Sequence, residues 1–238
     1  MLQTNEIERA LVVMAHPDDV DFGAAGTVAN LTDAGVEVVY CLVTDGQAGG
    51  FDRSIPRGEM ASIRRQEQTK AAAEVGVTDL RFLGHMDGTV VADLQLRQDI
   101  ARVIRQVRPQ VVITQNPMRR LDSTYGSHPD HLATGEATMS AVYPDARNPF
   151  AFPDTPCAEL DEWAVDEVWI SFGTEGDEVI DITANLERKI RALMCHESQH
   201  RDPAGMEERV RTWWRSIAEG HGLPEGSSAE TFKVVDTR

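Results

Sequence analysis

Leu11-Val12-Val13-Met14-Ala15-His16-Pro17-Asp18-Asp19 passes from an unbroken apolar run straight into an imidazole and two carboxylates. A short apolar run that ends in a polar turn reads as a strand buried on both faces, the pattern of a parallel sheet. The polar string then falls at the carboxyl end of that strand, where α/β sheets place their ligands. A second string, His128-Pro129-Asp130-His131, stands at the mouth of a later helical stretch.

Strand-like and helix-like stretches alternate on either side. Ala10–Met14, Val36–Val43, Leu80–Phe82 and Val111–Thr114 read as strands, and Ala24–Ala34, Glu59–Val75, Asp93–Val107 and His131–Val142 as helices, with Pro109 stopping the third helix. Tyr143–Trp163, rich in proline and acidic residues, reads as an irregular excursion at the site rim. Val165–Ser171 and Glu178–Ile182 follow as strands, in a hairpin or as an edge pair, and Ala184–His196 and Met206–Ala218 as helices. The expectation is one domain over 1–238, a Rossmann-like three-layer α/β fold. Its central sheet is mostly parallel, and a strand/helix extension closes the C-terminal end. Doubly-wound order sets the first strand beside the fourth, so two strings more than a hundred residues apart meet in one crevice.

The composition narrows the partners. The chain has 238 residues, 41% hydrophobic and 26% charged, as in ordinary globular domains. A formal net charge of −16 argues against nucleic acid, whose phosphates need a basic face. Cys41, Cys157 and Cys195 are too few for a disulfide framework, so a reducing cytoplasm is the expected compartment. No signal peptide or membrane span is apparent. The expected partner is a small molecule, and a homo-oligomer is left open.

His16, Asp19 and His131 suit a catalytic divalent cation, which takes three protein ligands and leaves a position for water. Such a cation makes water acidic enough to yield hydroxide near neutral pH. Asp18 is then free to act as general base. His128, one turn before His131, can donate a proton or steady an oxyanion, and Asp130 can hydrogen-bond and tune an imidazole. Purely structural readings compete: Asp18 or Asp19 could cap the helix at Ala24–Ala34, and His128–His131 could be no more than a helix start. The nearby Gly23-Ala24-Ala25-Gly26 has the wrong spacing for a dinucleotide loop.

Ala15–Asp19, Thr44-Asp45-Gly46, Arg64 to Glu67, His128–His131 and His196-Glu197-Ser198-Gln199 together resemble the PIG-L (LmbE-like) zinc-dependent N-deacetylases, in order from about Ala10 to Gln199. The resemblance implies Zn2+ on His16, Asp19 and His131, with Fe2+ able to use the same set. It implies Asp18 as base, His128 as acid or oxyanion partner, and Asp87, Arg64 and Tyr125 as substrate contacts. It also implies an amino-sugar substrate carrying an N-acetyl group, such as GlcNAc-inositol or GlcNAc-malate. Where the family usually has Glu after the double Asp, this chain has Val20, with Asp21 next. Two other readings remain: an amidase of mycothiol S-conjugates and a sugar-binding protein without turnover.

Overall fold

Ala10, Val12 and Met14 of β1 (Arg9–Met14) point into one hydrophobic cluster, and Leu11 and Val13 point into another. With both faces covered, the strand is apolar without alternation. The other strands are β2 (Glu37–Thr44), β3 (Asp79–His85), β4 (Val111–Gln115), β5 (Glu167–Ser171), β6 (Glu178–Asp181) and β7 (Ala229–Asp236). They form one seven-stranded sheet in the order β3-β2-β1-β4-β5-β7-β6. Pairing is parallel from β3 across to β5, and β7 runs antiparallel to both β5 and β6. The computed structural model describes residues 1–121, 124, 126–171, 176 and 178–238.

The helices are α1 (Asp19–Gly23), α2 (Ala25–Asp33), α3 (Arg57–Glu74), α4 (Leu94–Val107), α5 (Pro129–Ser140), α6 (Leu186–Met194) and α7 (Pro203–Gly220). Residues of α2, α3 and α6 enter the first cluster, and residues of α4 and α5 the second, which gives three layers. α7 packs on α6 through Val210 and Trp214, with Trp214 buried and its neighbour Trp213 at 41% exposure. The C-terminal extension is therefore part of the same fold.

The structure corrects one pairing. β5 and β6 form no hairpin, because β7 lies between them. Glu230 and Lys233 interrupt the apolar pattern of β7. Glu230 is nonetheless buried, because it accepts the backbone N–H groups of Gly26 and Thr27 at 2.9 and 2.8 Å and pairs with buried Lys189. A carboxylate satisfied in this way can occupy an interior strand position that sequence patterning reserves for apolar side chains.

Two glycines set the approach of helices to sheet. A Cβ on Gly26 would lie 2.7 Å from Ile182 Cβ, so this position serves close packing and no nucleotide. A Cβ on Gly135 would lie 2.3 Å from the carbonyl oxygen of Gln115, so α5 rests on the end of β4 only because that side chain is missing. The excursion over 143–163 is tied to α4. Arg97 forks onto Asp145 at 2.9 and 2.8 Å, and buried Arg105 donates to the carbonyls of Asp145, Ala146, Asn148 and Cys157. Trp163 Nε1 reaches Pro109 O at 2.7 Å, at the amino end of β4.

If β7 is integral to the core, Phe232→Ala should lower stability by about 3–5 kcal/mol. Urea unfolding would show this as a lower midpoint with an unchanged slope.

Candidate metal centre

Parallel pairing of β1 with β4, Ala10 with Val111 through Val13 with Thr114, brings the chain after each strand to the same edge. Ala15 N–H donates to Gln115 Oε1 at 2.9 Å and fastens the two exits together. The turn after β1 places His16, Asp18 and Asp19. α5, entered through Pro129 two residues earlier than the sequence suggests, places His128, Asp130 and His131.

Three donor residues face one another in a triangle, with the two imidazoles meeting different oxygens of Asp19. His16 Nδ1 lies 3.3 Å from His131 Nε2 and 3.2 Å from Asp19 Oδ2, and His131 Nε2 lies 3.1 Å from Asp19 Oδ1. Ligand bonds of about 2.0–2.1 Å in a tetrahedron require donor separations of about 3.3 Å. Separations of 3.1–3.3 Å are of that size, so these residues could hold a small tetrahedral cation with one position left open.

The other edge of the His16 ring explains why Nδ1 is available. Nε2 lies 3.2 Å from Asp130 Oδ2 and 3.2 Å from Asp87 Oδ1. Two carboxylates at Nε2 favour a hydrogen there, which would leave the Nδ1 lone pair to a cation. Both carboxylates are themselves anchored. Asp130 accepts from Gly88 N–H at 2.7 Å and Val90 N–H at 3.2 Å, and Asp87 accepts from Ala48 N–H at 2.8 Å. His16, Asp87 and Asp130 also form a cluster able to hold a metal, but its carboxylates already serve these donors.

The electrostatics favour positive charge at the triangle. Burial lowers the basicity of His16, but Asp19, Asp130 and Asp87 outweigh it and raise its pKa well above the ordinary value. Burial also works against ionisation of Asp19, yet His131 and His16 hold its carboxyl well below the ordinary value. The carboxylates that raise the basicity of His16 would equally favour a cation in its place, bound to the deprotonated ring.

Asp18 stands outside the triangle. Its backbone is left-handed, with φ 88°, and its side chain makes no helix cap. Asp19 is no conventional cap either, since its Oδ2 accepts the backbone N–H of His16 at 2.8 Å. Asp18 Oδ2 accepts from Arg64 Nη2 at 2.8 Å. Burial raises the Asp18 pKa against the opposing charge of Arg64, with Asp19 adding to the rise. His128 is both helix cap and site residue: its Nδ1 accepts Asp130 N–H at 3.2 Å, and its ring lies 4.9 Å from that of His16. Burial, helped by the charges of His16 and His131, lowers the His128 pKa.

The residues expected at the substrate fall in different places. Arg64 is 4% exposed and spends its guanidinium on Asp18, Pro17 O and Gly46 O. Its neighbour Arg65 forks onto Asp45 at 2.8 Å. Asp87 backs His16, and Tyr125 lies outside the described residues. His85 pairs with Asp99 at 3.1 Å, and His200 Nε2 lies 3.0 Å from Leu193 O. Gln68, Asp21 and His196 form a buried chain behind Asp18 that sequence reasoning did not assemble. The available signal was the spacing of Arg64 and Gln68, four residues apart on one face of α3.

The fold and this centre together define an α/β protein with a possible His/Asp metal site at the carboxyl end of its parallel strands. Comparison with known proteins sharpens the class. Residues 11–142 match the family model of PIG-L, described as GlcNAc-PI de-N-acetylase. The diacetylchitobiose deacetylase of Thermococcus kodakarensis is 32% identical over 97% of this chain and 84% of its own length. A probable N-acetyl-alpha-D-glucosaminyl L-malate deacetylase of Bacillus subtilis is 31% identical over 81% of this chain and 83% of its own. The solved N,N'-diacetylchitobiose deacetylase from Pyrococcus horikoshii, complexed with an inhibitor, superposes with a TM-score of 0.89 at 28% identity, covering 98% of this chain and 85% of that one. The chain belongs to the PIG-L family of LmbE-like deacetylases, and it is an N-deacetylase. Among the described residues, no helix is long and apolar enough to cross a membrane.

His131→Ala should abolish stoichiometric metal binding. Asp130→Asn, which weakens the orientation of His16, should lower affinity by about 10- to 100-fold. Competition against a chromophoric chelator measures both, and wild-type affinity in either variant would contradict the ligand assignment.

Proposed function

We propose that this protein is a zinc-dependent hydrolase that removes the acetyl group from an N-acetylglucosamine unit of a small saccharide or glycoside. The reading rests on one observation above all: the Asp18 carboxylate is held by Arg64 at 2.8 Å, feels the charges of Asp19 and His16, and is not among the facing donors. The named activities of the relatives support the acetamide as substrate. Two imidazoles and one carboxylate suit Zn2+, and Fe2+ can use the same donors. Held by His16, Asp19 and His131, the cation would polarise the acetamide carbonyl and acidify water.

The chain's own residues divide the remaining work. Asp18, its basicity raised by burial, takes the proton of the attacking water and returns it to the departing amine. His128 steadies the oxyanion. Its Nδ1 is engaged by Asp130 N–H, so the neutral ring carries its hydrogen on Nε2. That ring donates a hydrogen bond without first being charged, in keeping with its lowered pKa. Protonation of the amine therefore falls to Asp18. Arg64 holds the base in place and tunes it, and Asp87 and Asp130 hold His16.

The direct test is a panel of diacetylchitobiose, GlcNAc-malate, GlcNAc-inositol and a mycothiol S-conjugate, incubated with and without chelator and analysed by mass spectrometry. Acetate and a free amino sugar should appear, and chelator should abolish them. Release of a cysteine-containing acid, or an intact amide throughout, would overturn the proposal. Asp18→Asn should lower kcat by about 10²- to 10⁴-fold while the metal stays bound.

The pH dependence has a definite sign. Asp18 must be ionised to act, so activity falls as pH drops through its raised pKa. Arg64 opposes that rise, so Arg64→Met should move the acid limb of kcat/KM to higher pH. An acid limb that stays put or moves down would exclude Asp18 as the titrating base.

A further inference from the structure

Gln68 faces two groups of opposite polarity. Asp18 N–H donates to Gln68 Oε1 at 2.8 Å, and Gln68 Nε2 donates to Asp21 Oδ2 at 3.0 Å. The same Asp21 oxygen lies 2.8 Å from His196 Nε2, which must donate to it. Gln68, Asp21 and His196 are each fully buried. None of them belongs to the donor triangle, so direct contact with the cation does not account for them.

What the chain reaches is the backbone of Asp18. A left-handed conformation is unfavourable for a residue that carries a side chain, and glycine is the usual solution. Glycine is not available here, because the position needs a carboxylate. The conformation must therefore be held from outside, as strained functional residues generally are. Arg64 grips the carboxylate, and Gln68 grips the N–H of the same residue. Gln68 can do so only while its amide is held one way round. Asp21 sets that orientation by demanding the NH2 end, and His196 holds Asp21.

We propose that His196, Asp21 and Gln68 form a positioning chain that locks Asp18 in its left-handed conformation, making Gln68 and His196 positioning residues for the base. The inference rests on the reading of Asp18 given under Proposed function. The acid needed behind the base stands at Asp21, where α1 turns it toward α3 and the end of α6, and Val20 joins the apolar core.

The test compares Gln68→Met, His196→Leu and His196→Gln with the wild type. The amide of the last can place a donor where Nε2 stands. In Gln68→Met and His196→Leu the Asp18 amide should exchange its hydrogen at least about tenfold faster. kcat for acetate release should fall about 10- to 100-fold, with KM and Zn2+ affinity within about twofold of wild type. His196→Gln should recover most of both losses. Unchanged exchange at Asp18, or a loss of kcat that follows loss of Zn2+, would overturn the chain. Should His196→Leu fail to fold, Gln68→Met and His196→Gln decide the matter. The exchange readout needs no turnover. A wild type inert toward every substrate therefore sinks the proposed function, and unchanged Asp18 exchange sinks the chain by itself.

Discussion

The parallel ladder between β1 and β4 is the constraint from which the centre follows. Its register ends both strands at one level, and Gln115 at the end of β4 accepts the N–H of Ala15 at the end of β1. The turn after β1 then places His16, Asp18 and Asp19, and the start of α5, the helix that follows β4, places His128, Asp130 and His131. Gly135 contributes from the far side, because its missing side chain lets α5 close on the β4 exit. Moving one strand by a residue would reverse the facing of its side chains and part the two imidazoles.

His16 shows how one ring can serve two environments. Its Nε2 edge meets two anchored carboxylates, and its Nδ1 edge meets Asp19 and His131. The first edge fixes the tautomer on which the second depends. Asp130 joins the two strings a second time, since it is held by the loop after β3 and in turn holds His16. Its position between the two imidazole segments therefore matters as much as its charge.

Much of this was legible in the sequence because the signals were local. The apolar run at Leu11–Met14, the two polar strings and the strand/helix alternation announced the sheet and the meeting of His16 with His131. What was not legible depends on partners far along the chain. β7 was hidden because Glu230 breaks its apolar pattern, and nothing near Glu230 reveals that Lys189, Gly26 and Thr27 satisfy it. Arg64 has the residue type of a substrate contact, and only the fold shows its guanidinium turned inward onto Asp18, Pro17 and Gly46. Gln68 carried no signal of its own, since a glutamine in a helix is ordinary until both of its neighbours are known.

The C-terminal part of the chain follows from the same logic. The family match ends at residue 142, yet the groups that brace the first turn lie beyond it. Lys189 of α6 donates to Phe22 O in α1 at 2.8 Å, Glu230 of β7 holds the first turn of α2, and Ser198 binds Glu67 of α3 through its N–H and hydroxyl at 2.7 and 2.8 Å. A short helix of five residues cannot sustain itself on backbone hydrogen bonds alone. α1 must nevertheless start from a left-handed residue and deliver two carboxylates to different tasks. Lys189 on Phe22 O and His196 on Asp21 hold α1 directly, and Glu230 and Ser198 hold the neighbouring α2 and α3. His16, Asp18, Asp19 and His131 all fall inside the matched residues 11–142, whereas His196, which braces Asp21 behind Asp18, lies beyond them.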